Sequence, residues 1–223
     1  MSQKYFITGA SGGLGIELVK TVLNAGNTVV AAVRRPEALA DLAAQSGGRL
    51  IAEKLDVTQI GEIAAVAARH QDTDVLINNA GGALYHAAKF GLEGFAETVA
   101  QEVAGFGINT LIVEPGSMKT DFITNVNWTE ESEAYRDSTV GQVRRYIEQY
   151  GEDNIAGDPQ KIAAVIYHLT QLPAPPLRTA LGVDTFATLE QAYANNVATL
   201  AAQKVLAESV AFAGKTGFRP TQE

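Results

Sequence analysis

The feature that most restricts the fold of this chain is a turn, Thr8-Gly9-Ala10-Ser11-Gly12-Gly13-Leu14-Gly15, between a short apolar run and a segment of helical periodicity. A chain passes this sharply from strand to helix where glycines accept backbone angles closed to other residues. Strand-type and helix-type stretches go on alternating beyond it, which predicts βαβ units and a parallel sheet. Strands are expected over residues 4–8, 28–33, 49–54, 74–78, 109–113 and 178–181. Helical periodicity covers residues 13–25, 36–44, 60–70, 85–104, 159–172 and 185–210.

That order predicts an α/β fold: a three-layer, doubly wound parallel sheet of the Rossmann type, in one domain over residues 1–223. Residues 120–158 stand apart as a long mixed stretch rich in aromatics (Phe122, Trp128, Tyr135, Tyr146, Tyr150). A segment of that length is expected either to cover a binding site as a lid or to fold as ordinary surface helices.

A glycine turn that follows the first strand and opens a helix is built for a pyrophosphate. The backbone can approach closely, and the helix N-terminus meets the charge with its N–H groups and dipole. Thr8, Gly9, Ser11, Gly13, Leu14 and Gly15 are the expected binding residues, and the ligand is a dinucleotide. Some 20 residues beyond the glycines, a site for NAD(H) wants a carboxylate to accept from the ribose hydroxyls. This chain has Val33-Arg34-Arg35 there. A guanidinium suits a 2′-phosphate, so Arg34 directs the expectation to NADP(H) over NAD(H).

Composition removes several other classes. The chain has no cysteine, which excludes disulfides, thiolate metal sites and a cysteine nucleophile. A net charge of −8 offers no general attraction to nucleic acid or an anionic membrane surface. No segment approaches the roughly 18–20 continuous apolar residues that cross a bilayer. The N-terminal run is too brief for a secretory leader, so the expected location is the cytoplasm.

Four further motifs occur in a telling order. Asp56-Val57 follows the third strand, and Asn78-Asn79-Ala80-Gly81 ends the fourth. Tyr85 and Lys89 open a helix, and Pro115-Gly116 follows the next strand, with Met118 and Thr120 just beyond. Together with the glycine turn, this resembles the short-chain dehydrogenase/reductase family over nearly the whole chain. The resemblance implies an oxidoreductase that moves hydride between a nicotinamide and a carbonyl/alcohol carbon. Asp56 and Val57 would border the adenine, and Asn78, Asn79, Ala80 and Gly81 would support the cofactor. Tyr85 would be the acid/base and Lys89 its partner, while Pro115, Gly116, Met118 and Thr120 would line the nicotinamide side.

The Tyr85–Lys89 pair also makes chemical sense by itself. Spacing i, i+4 puts both on one helix face. A free phenol titrates well above neutral pH, and a nearby ammonium favours its ionised form. Further along that helix, Leu92, Phe95, Val99 and Val103 are expected to form its apolar stripe.

One departure is large. Family members carry a helix and a strand between Asn-Asn-Ala-Gly and the tyrosine, with an Asn and a Ser that complete the catalytic tetrad. Here Gly82, Ala83 and Leu84 alone separate Gly81 from Tyr85. Ser117 and His86 are the candidate replacement donors, whereas Thr73 precedes the fourth strand and so falls at the wrong end of the sheet. Two alternatives to an active reductase therefore stand: an NADP(H)-binding or sensing protein, and an internally shortened enzyme. The expected substrate is a small, moderately apolar carbonyl or alcohol. A homo-oligomer stays open, because the family's usual interface uses the helix that this sequence lacks. No metal site is expected.

Overall fold

In the computed structural model β1 spans Lys4–Thr8, as the apolar run predicts. The structure describes residues 2–79, 85–121, 133, 136–151, 154–212 and 215, with the side chains of 85–87 and 140 excepted. β1 lies between β2 (Thr28–Val33) and β4 (Val75–Ile77), and β3 (Leu50–Lys54) sits outside β2. All three pairings are parallel, with Ile7 opposite Ala31 on one side and Ile77 on the other.

Both faces of this sheet are covered, which explains why β1 and β2 read as continuous apolar runs without alternation. One face, carrying Tyr5, Ile7, Val29, Ala31 and Val33, packs against α1 (Gly13–Asn24) and α6 (Pro159–Thr170). The opposite face, carrying Phe6, Val30 and Ala32, packs with Leu55 and with Val66 of α3 (Ile60–Arg69). The layers are helix, sheet and helix, the α/β arrangement that the alternation predicts.

The sheet ends at β4. Its next expected member, β5 (Ile112–Pro115), pairs instead with β6 (Arg178–Leu181) in a separate two-stranded parallel sheet. β5 also starts three residues later than expected and runs on to Pro115, because its register is set by β6. The stretch predicted as one helix over 36–44 is a 3₁₀ turn, Pro36–Leu39, followed by α2 (Ala40–Gln45). The C-terminal helix begins two residues earlier than expected and divides at Gln203, giving α7 (Val183–Ala202) and α8 (Lys204–Ser209).

α4 spans Tyr85–Val103 and leans on the β5–β6 sheet. Its expected apolar stripe is covered only in part: Phe95 is 65% exposed, whereas Leu92 is about one-third exposed and Val99 and Val103 are half-buried. Arg178 sets the rotation: its guanidinium binds Glu93 and Glu97 of α4 together with Glu114 of β5 at 2.9–3.1 Å. Glu93 and Glu97 are thereby turned toward the sheet. Residues 120–158 contain α5 (Thr139–Tyr150), capped by Ser138 and with the rings of Tyr146 and Tyr150 5.0 Å apart. Phe122, Trp128 and Tyr135 lie outside the described residues. Among the described residues no helix is long and apolar enough to cross a membrane.

Candidate functional site

Parallel strands present all their carboxyl ends at one edge of the sheet, so the candidate residues that follow β1 to β4 gather there. Thr8 ends β1, and the chain then turns through Gly9 (φ 63°) and Gly13 (φ 53°) into α1. Both glycines sit in the left-handed region, where a side chain would be strained. Gly15 is constrained by space: a Cβ there would overlap the carbonyl oxygen of Gly9 and crowd the Asn79 amide.

α1 starts without a side-chain cap, because its N-cap is Gly12, and no acidic residue occupies its first turn. α6 makes the contrast, with Asp158 accepting from the backbone N–H groups of Gln160 and Lys161. The positive end of α1 is left for an anion, whereas that of α6 is already met by a carboxylate.

Asn79 fastens β4 to the turn. Its backbone N–H donates to the Thr8 hydroxyl at 3.0 Å, and its side-chain amide donates to the carbonyls of Thr8 and Gly9 at 3.2 and 3.1 Å. The role is to hold the turn's shape. Asn78 beside it is exposed, and Ala80 and Gly81 lie outside the described residues.

Arg34 and Arg35 stand exposed just past the end of β2. Asp56, past the end of β3, accepts from the N–H and hydroxyl of Thr58 at 3.0 and 2.8 Å. Those two bonds, with a smaller contribution from Arg34, hold its carboxyl below the usual carboxylate range. Val57 is exposed beside it. Charge of both signs thus borders the position where an adenosine end would lie.

On the other side, Thr120 approaches the glycine turn: a Cβ built on Gly13 would lie 3.8 Å from its side chain. Pro115 and Gly116 end β5, and Met118 pairs through a single bridge with Gly157. Asp184, in the first turn of α7, fixes this loop, and sequence reading missed it. Its carboxylate accepts from the Ser117 N–H at 2.8 Å and the Ser117 hydroxyl at 2.6 Å. The Ser117 hydroxyl, the largest influence, holds the Asp184 carboxyl below its usual range. The same carboxylate leaves no room for a Cβ on Gly116. The available signal was Gly182-Val183-Asp184, a glycine and an acid at a strand-to-helix junction, which a helix start at residue 185 passed over.

The catalytic candidates are partly in view. Tyr85 opens α4 and Lys89 lies one turn further, half-buried on the same helix. The side chains of Tyr85 and His86 lie outside the described residues. Ser117's hydroxyl is engaged by Asp184. Thr73 donates to the carbonyl of His70 at 2.7 Å, ahead of β4 and away from the glycine turn, as expected. Among the described residues no cluster of His, Asp or Glu is arranged to hold a metal.

The family model for short chain dehydrogenases matches residues 3–84 and 81–131. The chain belongs to that family. It is 28% identical to oxidoreductase BOA17 of Botryotinia fuckeliana over 249 aligned positions, covering 82% of this chain and 90% of that protein. Among solved structures, a short-chain dehydrogenase from Streptomyces avermitilis superposes with a TM-score of 0.82 at 30% identity, covering 95% of this chain and 100% of that one. The L-sorbose reductase of Gluconobacter frateurii, solved with NADPH and L-sorbose, shares the fold at a TM-score of 0.61 and 18% identity, over 81% of this chain and 94% of that one. The protein is an oxidoreductase of short-chain dehydrogenase type, with the nicotinamide cofactor that this family binds.

Proposed function

We propose that the chain is an NADP(H)-dependent reductase that interconverts a small, moderately apolar carbonyl compound and its alcohol. The observation that carries this reading is the open start of α1: a glycine cap, no acid in its first turn, and a Gly15 that admits no side chain. The turn at Thr8–Gly15 would hold the pyrophosphate, with Ser11 exposed beside it. Arg34 would hold the 2′-phosphate, with Asp56, whose Oδ1 accepts both bonds from Thr58, close by. Lys89, Pro115, Gly116, Met118 and Thr120 would surround the nicotinamide end. Residues 120–158, with Tyr146 and Tyr150 exposed on α5, would supply an apolar wall for the substrate.

When bound, the nicotinamide supplies or accepts a hydride. Tyr85 would give its phenolic proton to the substrate oxygen in reduction and recover it in oxidation. Lys89, one helical turn away, would favour the phenolate between those events. Asp184 would keep the loop of Gly116 and Ser117 in place without touching substrate.

A second reading has its own support: a chain that binds NADP(H) while an internal helix–strand unit is missing and turnover is impaired. β4 and β5 do not pair. The family match breaks into two stretches that meet at residues 81–84. The alignment with the Botryotinia oxidoreductase runs over 249 positions although only 82% of this chain takes part. Some positions of the Botryotinia protein in that alignment therefore face no residue of this chain, which supports this reading.

One experiment separates the readings. NADPH oxidation is followed with a panel of ketones and aldehydes, alongside thermal melts with NADPH and with NADH. An active reductase shows turnover that Tyr85→Phe lowers roughly 100- to 10,000-fold, while the NADPH-induced rise in melting temperature survives. A melt shift with no turnover on any substrate selects the binding protein. Replacing Arg34 with Met should weaken NADPH roughly 10- to 100-fold and leave NADH nearly unchanged. Equal losses for both cofactors would reject the 2′-phosphate assignment.

A further inference from the structure

α7 is a 20-residue helix without a single buried residue. From Phe186 to Ala202 every residue is exposed except Leu189, which is half-buried. The helix is nevertheless apolar along one line. Phe186, Leu189, Tyr193, Val197 and Leu200 recur at helical spacing, and Val197 and Leu200 are 68% and 72% exposed. Asp184 and Glu190 are the charged residues of the whole helix. Solvated helices ordinarily carry many charges on their outer face, so this composition calls for a covering partner.

The order of the stripe identifies that partner. Its intervals run three, four, four, three, and they are symmetric about Tyr193. An antiparallel copy turned about a two-fold axis at Tyr193 places Phe186 against Leu200, Leu189 against Val197, and Tyr193 against itself. Isologous contacts require such self-complementarity. Glu190 then falls opposite Asn196, so the acids of the two copies do not confront each other, and Lys204 of each copy comes to the Asp184 end of the other.

Area and geometry agree with this pairing. Five large side chains at roughly 100 Å² each give about 500 Å² per copy, or about 1,000 Å² in all, the lower bound for a specific interface. Antiparallel copies put the two chain bodies at opposite ends of a helix about 30 Å long.

We propose that the protein forms a two-fold dimer through antiparallel pairing of α7, centred on Tyr193. This assignment rests on α7 alone and stands apart from the cofactor and catalytic reading. The test is sedimentation velocity over a concentration series, on the full chain and on Tyr193→Asp, with circular dichroism confirming the variant's helix content. A dimer is expected, and Tyr193→Asp should raise its dissociation constant by roughly 100-fold or more, because two charges would be buried against each other at the axis. The cysteine-free chain allows a second measurement. Tyr193→Cys alone should oxidise to a cross-linked dimer, and Phe186→Cys should cross-link efficiently with Leu200→Cys but poorly with itself. A chain that stays monomeric throughout, a dimer that Tyr193→Asp leaves intact, or one broken by Phe95→Asp on α4 instead would each overturn the proposal. Phe186→Cys that cross-links to itself as well as to Leu200→Cys would overturn the antiparallel register.

Discussion

The two sheets are made of similar parallel strands and end in different surroundings. In the four-stranded sheet Tyr5, Ile7, Val29, Val30 and Ala31 are wholly buried, with helices on both faces. In the β5–β6 pair Ile112 is the one buried residue among the strand positions, and α4 and α7 beside it lie largely in solvent. The boundary is β4. Leu76 is 59% exposed although it stands in register with Phe6, which is buried. A parallel strand is as stable as the layers that cover it, and here coverage stops one strand beyond β1. The glycine turn proposed for the pyrophosphate belongs to the well-covered sheet. The residues proposed for the nicotinamide end, Lys89, Pro115 and Gly116, belong to the less covered one.

The strongest way to sharpen that contrast is to add one methyl group to each region. Gly15→Ala places a Cβ onto the Gly9 carbonyl and should cost about 3 kcal/mol or more, because backbone must move. It should also abolish the NADPH-induced melt shift. Gly91→Ala in α4 meets open space and should stabilise by about 0.5–1 kcal/mol, the ordinary gain for a helix interior. Urea melts of both variants measure this directly. A Gly15→Ala protein as stable as the parent would mean that the turn is looser than its contacts indicate.

Truncating side chains tests the same boundary from the apolar side. Ile7→Ala removes a wholly buried side chain and should cost about 2–5 kcal/mol. Leu76→Ala, one strand away, should cost well under about 1 kcal/mol. A large loss at Leu76 would show that this face is covered in solution, and a dimer that shields it would be the first thing to look for.

Much of the well-covered sheet was legible from sequence because local and global signals agree there. β1 and β2 have the bounds that their apolar runs suggest, and the glycine turn marks the start of α1. Asn79 was legible through its motif, although its bonds to Thr8 and Gly9 give it a structural role. Less of the second region could be read. Arg178, more than 70 residues away in sequence, draws Glu93 and Glu97 of α4 toward the sheet, a pairing that periodicity does not carry, and Phe95 of the expected stripe is left exposed. Asp184 escaped because its partner, Ser117, is likewise remote and no short motif joins them. Long-range charge pairing has no period, and hydrophobic pattern is blind to it.

A smaller effect than those at Gly15 and Ile7 compares the charged clusters of the two regions. Arg178 and its three glutamates occupy the open sheet. In the covered one, Glu53 of β3 accepts from Arg69 Nη2 and pairs with His70 Nε2, each at 2.8 Å. The Arg69 hydrogen bond, foremost, holds the Glu53 carboxyl below the usual carboxylate range. A carboxyl depressed by folding contributes stability that is present above its unfolded pKa and lost as pH falls through its folded value. Glu53→Gln should therefore cost about 1 kcal/mol at neutral pH, since Arg69 is half exposed and water screens the pair. The difference between parent and variant should shrink as pH drops below the ordinary carboxylate range. Urea melts at a series of acidic pH values give the curve. A gap that stays constant into strong acid would place the loss in packing around the buried His70 instead of in the charge on Glu53.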